Sequence, residues 1–103
     1  MASENRLPFS PEAERGVLGG VLLDPEIAVE VFGILVEDDF HDPRNRAVFA
    51  TLRALYDRGD PVDLVTALAE YRRRTGSDDP ADTDYITDLI NDIAYMANVL
   101  SYA

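Results

Sequence analysis

Ser10-Pro11-Glu12-Ala13-Glu14 leads through Val17-Leu18-Gly19-Gly20-Val21-Leu22-Leu23 directly into Asp24-Pro25-Glu26. That stretch spells two helix starts with almost no linker between them. Ser10 and Asp24 can each accept from exposed backbone N–H groups, and the proline that follows occupies the first helical position, where its missing donor costs nothing. Asp42-Pro43 repeats the pattern. Glu12, Glu14 and Glu26 fall in first turns, where the positive end of the helix dipole favours each by roughly 0.3–1 kcal/mol. Joints of this kind predict an all-α domain.

Working outward, helix one spans Pro11–Leu23 with Ala13, Val17, Leu18, Val21 and Leu22 as its apolar stripe. Helix two offers Ile27, Val31, Ile34 and Leu35, with Phe32 on one shoulder. The acidic turn Glu37-Asp38-Asp39 then closes on Phe40, an aromatic suited to plugging a core. Helix three runs from Pro43 to about Arg58, displays Val48, Phe49, Leu52, Leu55 and Tyr56, and stops at Gly59. After the turn Asp60-Pro61-Val62, Asp63 caps helix four, whose Leu64, Val65 and Leu68 point inward. Arg72-Arg73-Arg74 crowd its last turn, where cations complement the negative helix end, and Gly76 ends it. Residues 77–83 read as a mobile polar loop. Thr83 caps a fifth helix bearing Tyr85, Ile86, Leu89, Ile90 and Ile93, and a sixth begins near Met96. The expected organisation is an arm over residues 1–9 and one domain of about six short helices over 10–103.

Composition narrows function. The chain of 103 residues has 9 basic and 20 acidic side chains, a formal net charge of −11. Such acidity repels phosphate backbones, so direct nucleic-acid binding is not expected and basic partners are favoured. Every basic residue is arginine. Without lysine there is no phosphate loop ending Gly-Lys-Ser/Thr, and hence no sign of a nucleotide-hydrolysing motor. The absence of cysteine excludes disulfides and thiolate metal sites. No apolar run approaches the roughly 20 residues of a membrane span, and no leader is visible, so a soluble cytoplasmic protein is expected.

No catalytic, cofactor or metal site is legible. His41 is the lone histidine and reads as a turn residue beside Asp39 and Asp42. Acidic residues 78–84 lack the spacing of a calcium loop. Ser10 has a capping task and no serine sits in a nucleophile elbow. Arg72-Arg73-Arg74 read as balancing the helix end and nearby acids. Gly19-Gly20 within a helix costs roughly 0.5–1 kcal/mol per glycine relative to alanine, and a closely crossing helix is the simplest compensation.

In that order and spacing, several segments resemble the N-terminal domain of DnaB-type replicative DNA helicases. They are Ser10-Pro11-Glu12-Ala13-Glu14, Val17-Leu18-Gly19-Gly20 with Leu22-Leu23-Asp24, and Glu37-Asp38-Asp39-Phe40. Pro43 to Phe49, Gly59-Asp60-Pro61-Val62-Asp63-Leu64-Val65-Thr66, Ala69-Glu70, Tyr85-Ile86 with Leu89, Ala97-Asn98 and Tyr102-Ala103 complete the series. The likeness covers about Pro8 to Ala103. It implies a compact orthogonal bundle of about six helices, without the helical hairpin and motor that follow it in the family. It further implies a non-catalytic interaction and assembly domain, with no cofactor, that helps form a collar with other helicase subunits and docks the C-terminal helicase-binding domain of primase. Glu12 and Tyr85 match positions the family associates with that docking surface. Two departures stand out: Asp82-Thr83-Asp84 replaces a paired glycine, and Arg44-Asn45-Arg46 stands where a histidine is usual. The alternative is a stand-alone acidic regulator that binds a helicase ring or another basic protein.

Overall fold

A computed structural model describes the backbone of residues 10–101 and the side chains of residues 10–93. The expected arm over residues 1–9 and the side chains of the closing segment lie outside the described residues. The elements are α1 (Pro11–Leu23), α2 (Pro25–Ile34), a single 3-10 turn (Glu37–Asp39), α3 (Pro43–Arg58), α4 (Leu64–Thr75) and α5 (Pro80–Ser101), with no strand among the described residues. The predicted joints form as their chemistry requires. Ser10 Oγ accepts from the Ala13 N–H at 3.2 Å, the Asp24 carboxylate from Glu26 at 2.9 Å, and Asp42 from Arg44 and Asn45 at 2.8 and 3.2 Å. Asp63 and Thr66 cap each other reciprocally. Gly59 and Gly76 end α3 and α4 at φ 78° and 71°, the left-handed region where a Cβ is penalised.

α1 is the organising helix, packed against α5, α2 and α3, while α4 lies on α3 and α5. Leu18, Val21 and Leu22 of α1 meet Val48, Phe49 and Leu52 of α3 and Ile86 and Leu89 of α5 in one buried cluster. Phe40 is fully buried with its ring 4.7 Å from that of Phe49, so the aromatic after the acidic turn does plug the core. The glycine pair in α1 divides its task. A Cβ on Gly19 would collide with the Leu89 carbonyl oxygen and lie 2.6 Å from Ile93 Cγ1, so the backbones of α1 and α5 approach closely at that point. At Gly20 the same atom would meet only ordinary contact with Ile27.

Three expectations need correction. The core face of α2 is Ala28, Phe32 and Leu35, whereas Ile27 and Ile34 are exposed and Val31 is only partly buried. Because the single residue Asp24 separates α1 from α2, that joint sets the rotation of α2, and the rotation carries Phe32 against the rings of Phe49 and Tyr56. In α4 the buried positions are Ala67, Glu70 and Tyr71, with Leu64 and Leu68 at the margin and Val65 77% exposed. A glutamate can occupy that face because two arginines neutralise it, as described below. Finally, the fifth and sixth helices are one, making five α-helices among the described residues in place of about six, and Thr83 is not its cap. Asp79-Pro80 repeats the opening pattern of α1, α2 and α3: the Asp79 carboxylate accepts from the Ala81 N–H at 3.0 Å, while the Ser77 hydroxyl donates to Asp82 at 2.6 Å. The expected loop therefore shrinks to residues 76–79 and is tied by its own side chains.

Candidate functional site

The first turn of α1, the start of α3 and the first third of α5 meet around a buried carboxylate. Glu14 lies four residues before Leu18 and seven before Val21, on the inward stripe of α1, and is 1% exposed. It accepts from the backbone N–H of His41 at 2.7 Å, the backbone N–H of Asp42 at 3.3 Å and the Asn45 side-chain amide at 3.0 Å. Asn45, itself fully buried, uses its carbonyl oxygen to accept from the Tyr85 hydroxyl. One polar chain thus joins α1, α3 and α5, and no buried side-chain N or O atom among the described residues lacks a partner.

Outside that chain the same elements build a charged, aromatic surface. The Arg15 guanidinium sits 5.4 Å from the centre of the Tyr85 ring and pairs with Asp92 of α5. Arg44 covers the ring at 4.7 Å and reaches Asp82 at 3.8 Å. Partial burial raises the Tyr85 hydroxyl above its ordinary pKa, with Arg15 opposing the shift, so the group remains a neutral donor to Asn45. Glu12 is exposed one turn along from this cluster, accepts weakly from the Ser10 hydroxyl at 3.2 Å, and lines a shallow cleft with Pro11, Arg15, Gly16, Asp92 and Ile93.

The two residues singled out from the sequence, Glu12, which lines a cleft with Arg15, and Tyr85, whose ring lies under the Arg15 guanidinium, therefore neighbour the same arginine on the α1–α5 side. They differ in kind. The Glu12 carboxylate is held by little besides Ser10, whereas Tyr85 is a structural tie whose ring is already held between two guanidinium groups. Arg15 carries no signal of a site in the sequence, and Arg44 and Asn45 stand out there only as a departure from the family pattern. Their signal is positional: Asn45 falls three, four and seven residues before the buried Val48, Phe49 and Leu52, and Arg15 follows the buried Glu14. The two departures from the family pattern meet here, since Arg44 from one lies over the Tyr85 ring and reaches Asp82 from the other.

A second charged cluster lies at the far end of α3. Glu70, 4% exposed, accepts from Arg73 at 2.6 and 3.2 Å and from Arg58 at 3.1 and 3.2 Å. The hydrogen bonds from Arg73 and then Arg58 lower its carboxyl from 4.5 to about 2, and Glu70 in turn holds Arg58 above its usual range. Of the arginine run at the end of α4, Arg73 serves the buried acid Glu70, while Arg72 reaches Thr83 Oγ1 at 3.4 Å. His41 contributes its backbone N–H to Glu14. Among the described residues no group of three or more His, Asp or Glu side chains could hold a metal ion, and no helix is long and apolar enough to cross a membrane.

Comparison with known proteins agrees with this architecture. The family model of the DnaB-like helicase N-terminal domain matches residues 6–103. The chain is 38% identical to the replicative DNA helicase DnaB of Geobacillus stearothermophilus over 98% of its own length and 22% of that protein. It is 33% identical to the replicative DNA helicase DnaC of Bacillus subtilis, covering 93% of this chain and 21% of the relative. The crystal structure of the N-terminal domain of DnaB helicase from Mycobacterium tuberculosis superposes with a TM-score of 0.74 at 35% identity, covering 84% of this chain and 61% of that one. The chain spans about a fifth of the length of these full helicases. It belongs to the family of DnaB-like helicase N-terminal domains.

Proposed function

We propose that this domain acts by contact alone, as the head of a replicative helicase that helps assemble the collar with other subunits and docks the C-terminal helicase-binding domain of primase in the cytoplasm. The observation that carries the reading is the α1–α5 face. There an unneutralised carboxylate at Glu12, an arginine-clamped tyrosine and the Arg15–Asp92 pair lie side by side on a rigid support. Charged and aromatic side chains held in fixed geometry suit protein recognition, because little conformational freedom is lost when a partner arrives. No group on this face is arranged as nucleophile and base.

The test is calorimetric titration of the chain with an isolated primase C-terminal domain. Glu12→Arg should weaken binding by about tenfold, since it reverses an exposed charge at the centre of the face. Its helicity, read by circular dichroism, should equal that of the parent. Equal affinity for parent and variant would remove primase docking from this face, and ATP hydrolysis by the purified chain would refute the non-catalytic reading.

A further inference from the structure

Two arginines lie over the Tyr85 ring, and the chain satisfies them to different degrees. Arg15 donates to Asp92, so its charge is met internally. Arg44 has only the Asp82 carboxylate, which approaches no closer than 3.8 Å, beyond hydrogen-bond reach, and whose other oxygen accepts from Ser77 at 2.6 Å. Six of the eight arginines among the described residues donate from the guanidinium to a protein acceptor, and only Arg44 and Arg74 do not. Of those two, Arg74 has neither a ring nor a carboxylate beside it, whereas Arg44, with its side chain 45% exposed, lies 4.7 Å from the centre of a ring that is tied through its hydroxyl to the buried Asn45. Arg44 is thus held in place with its donors unspent. It is also the second residue of α3, where the positive helix end disfavours a cation, so local helix stability does not account for it.

Resting on the docking reading above, we infer that Arg44 determines specificity at that face and that its counterpart is a carboxylate side chain of the docking protein. A guanidinium presents a planar fork that matches a carboxylate through two parallel N–H···O bonds, and one already held against a ring loses little freedom when the carboxylate arrives. A protein acid is the fitting source, because a nucleic acid would bring a row of phosphates to a chain of net charge −11. The same net charge draws basic surfaces without discrimination. Arg44 repels a uniformly basic segment and favours one that sets an acid beside the cation that Glu12 calls for, and a repulsive contact of this kind sharpens the choice among basic partners.

Binding is measured by calorimetry with the isolated primase C-terminal domain and with an oligolysine peptide. Arg44→Gln should weaken the primase domain about tenfold while leaving oligolysine bound as tightly as before or more so, because the change makes the chain more acidic. Arg74→Gln, the same change of charge on a remote exposed arginine, should leave the primase domain within about twofold. Arg44→Lys, which keeps the charge but not the fork, should recover only part of the loss. Circular dichroism verifies that the variants keep their helicity. The site itself is read without any protein partner: in NMR spectra of the arginine side-chain N–H groups, sodium acetate against sodium chloride at equal ionic strength should shift the Arg44 signal at least about twice as far as that of Arg74. Equal shifts at the two arginines would overturn the inference, as would a primase domain bound alike by the parent and Arg44→Gln. A preference for inorganic phosphate over acetate that is stronger at Arg44 than at Arg74 would assign the site to a phosphate group and overturn the choice of carboxylate. Failure of the parent to bind the primase domain, with the acetate shift at Arg44 intact, would strike the docking reading and leave the carboxylate site standing.

Discussion

Glu14 and Glu70 are both buried carboxylates, and the fold satisfies them in opposite ways. Glu14 accepts from two backbone N–H groups and an amide, all electrically neutral, drawn from residues 41–45. Glu70 accepts from two guanidinium groups, Arg58 and Arg73, whose side chains are 45% and 65% exposed. The first arrangement is dry and fixes where α1, α3 and α5 meet. The second is a staple across the ends of α3 and α4, open to water and salt on its cationic side. A buried acid can therefore act as a joint or as a neutralised neighbour, and the difference lies in whether its partners are immobile backbone or mobile side chains.

The comparison is sharpest when Glu14 is removed. Glu14→Ala leaves the N–H groups of His41 and Asp42 and the Asn45 amide without their acceptor in a buried place. At roughly 1–3 kcal/mol for each unsatisfied buried group, and with some relief from entering water, the loss should be about 3–5 kcal/mol. That is enough to unfold much of the population of a small domain. Urea unfolding followed by circular dichroism measures it. Because the donors are neutral, the gap between parent and variant should be little changed by 1 M salt, where the Debye length is about 3 Å. A loss below about 1 kcal/mol would mean that water replaces the carboxylate, and the joint would be no joint.

Legibility in the sequence follows the same division. Helix starts were readable because a capping side chain, a proline and a first-turn acid act within a few residues of one another. Ser10, Asp24, Asp42 and Asp63 consequently cap as expected. The third Asp-Pro start, Asp79-Pro80, is hidden in a run of acids that reads as loop, although its chemistry is the same. The apolar stripes of α1 and α3 are readable from spacing, although the buried Glu14, Asn45 and Thr51 on the same faces are not, and the inward faces of α2 and α4 are not read correctly. Glu70 between Ala67 and Tyr71 turned the reading of α4 toward Val65, and the apolar stripe of α2 outvoted Phe32. Periodicity counts hydrophobic side chains, but burial also admits a polar one whose partners come from elsewhere in the chain. The candidate face was half legible: Glu12 and Tyr85 came from family resemblance, while Arg15, Arg44 and Asn45 required the crossing of three helices.

Removing Glu70 should have a smaller effect that depends on conditions. Glu70→Gln keeps the shape and some hydrogen bonding but loses both ion pairs. Its cost should fall short of that of Glu14→Ala and shrink further in 1 M salt. The pH dependence has a definite sign. The folded-state carboxyl is lowered from 4.5 to about 2, so its contribution is complete above about pH 4.5 and disappears as pH falls toward 2. Urea midpoints of parent and Glu70→Gln should therefore be separated at pH 6 and converge as the pH is lowered through that window. A separation that stays constant between pH 6 and pH 2 would show that packing, not charge, makes the difference.

Tyr85→Phe probes the outermost link of the Glu14 chain and should have the least effect. The phenyl ring can remain between Arg15 and Arg44, since the attraction of a cation for a ring face needs no hydroxyl. Only the donation to Asn45 is lost, about 1 kcal/mol for one hydrogen bond whose acceptor is buried. The informative quantity is the coupling. In a double-mutant cycle the cost of Tyr85→Phe should fall toward zero once Glu14 is alanine, because Asn45 is then released from its amide contact and can turn its carbonyl elsewhere. Strict additivity of the two changes would instead separate Tyr85 from the α1–α3 joint. Its place on the docking face would then rest on the ring and its arginines, with no help from the buried carboxylate behind them.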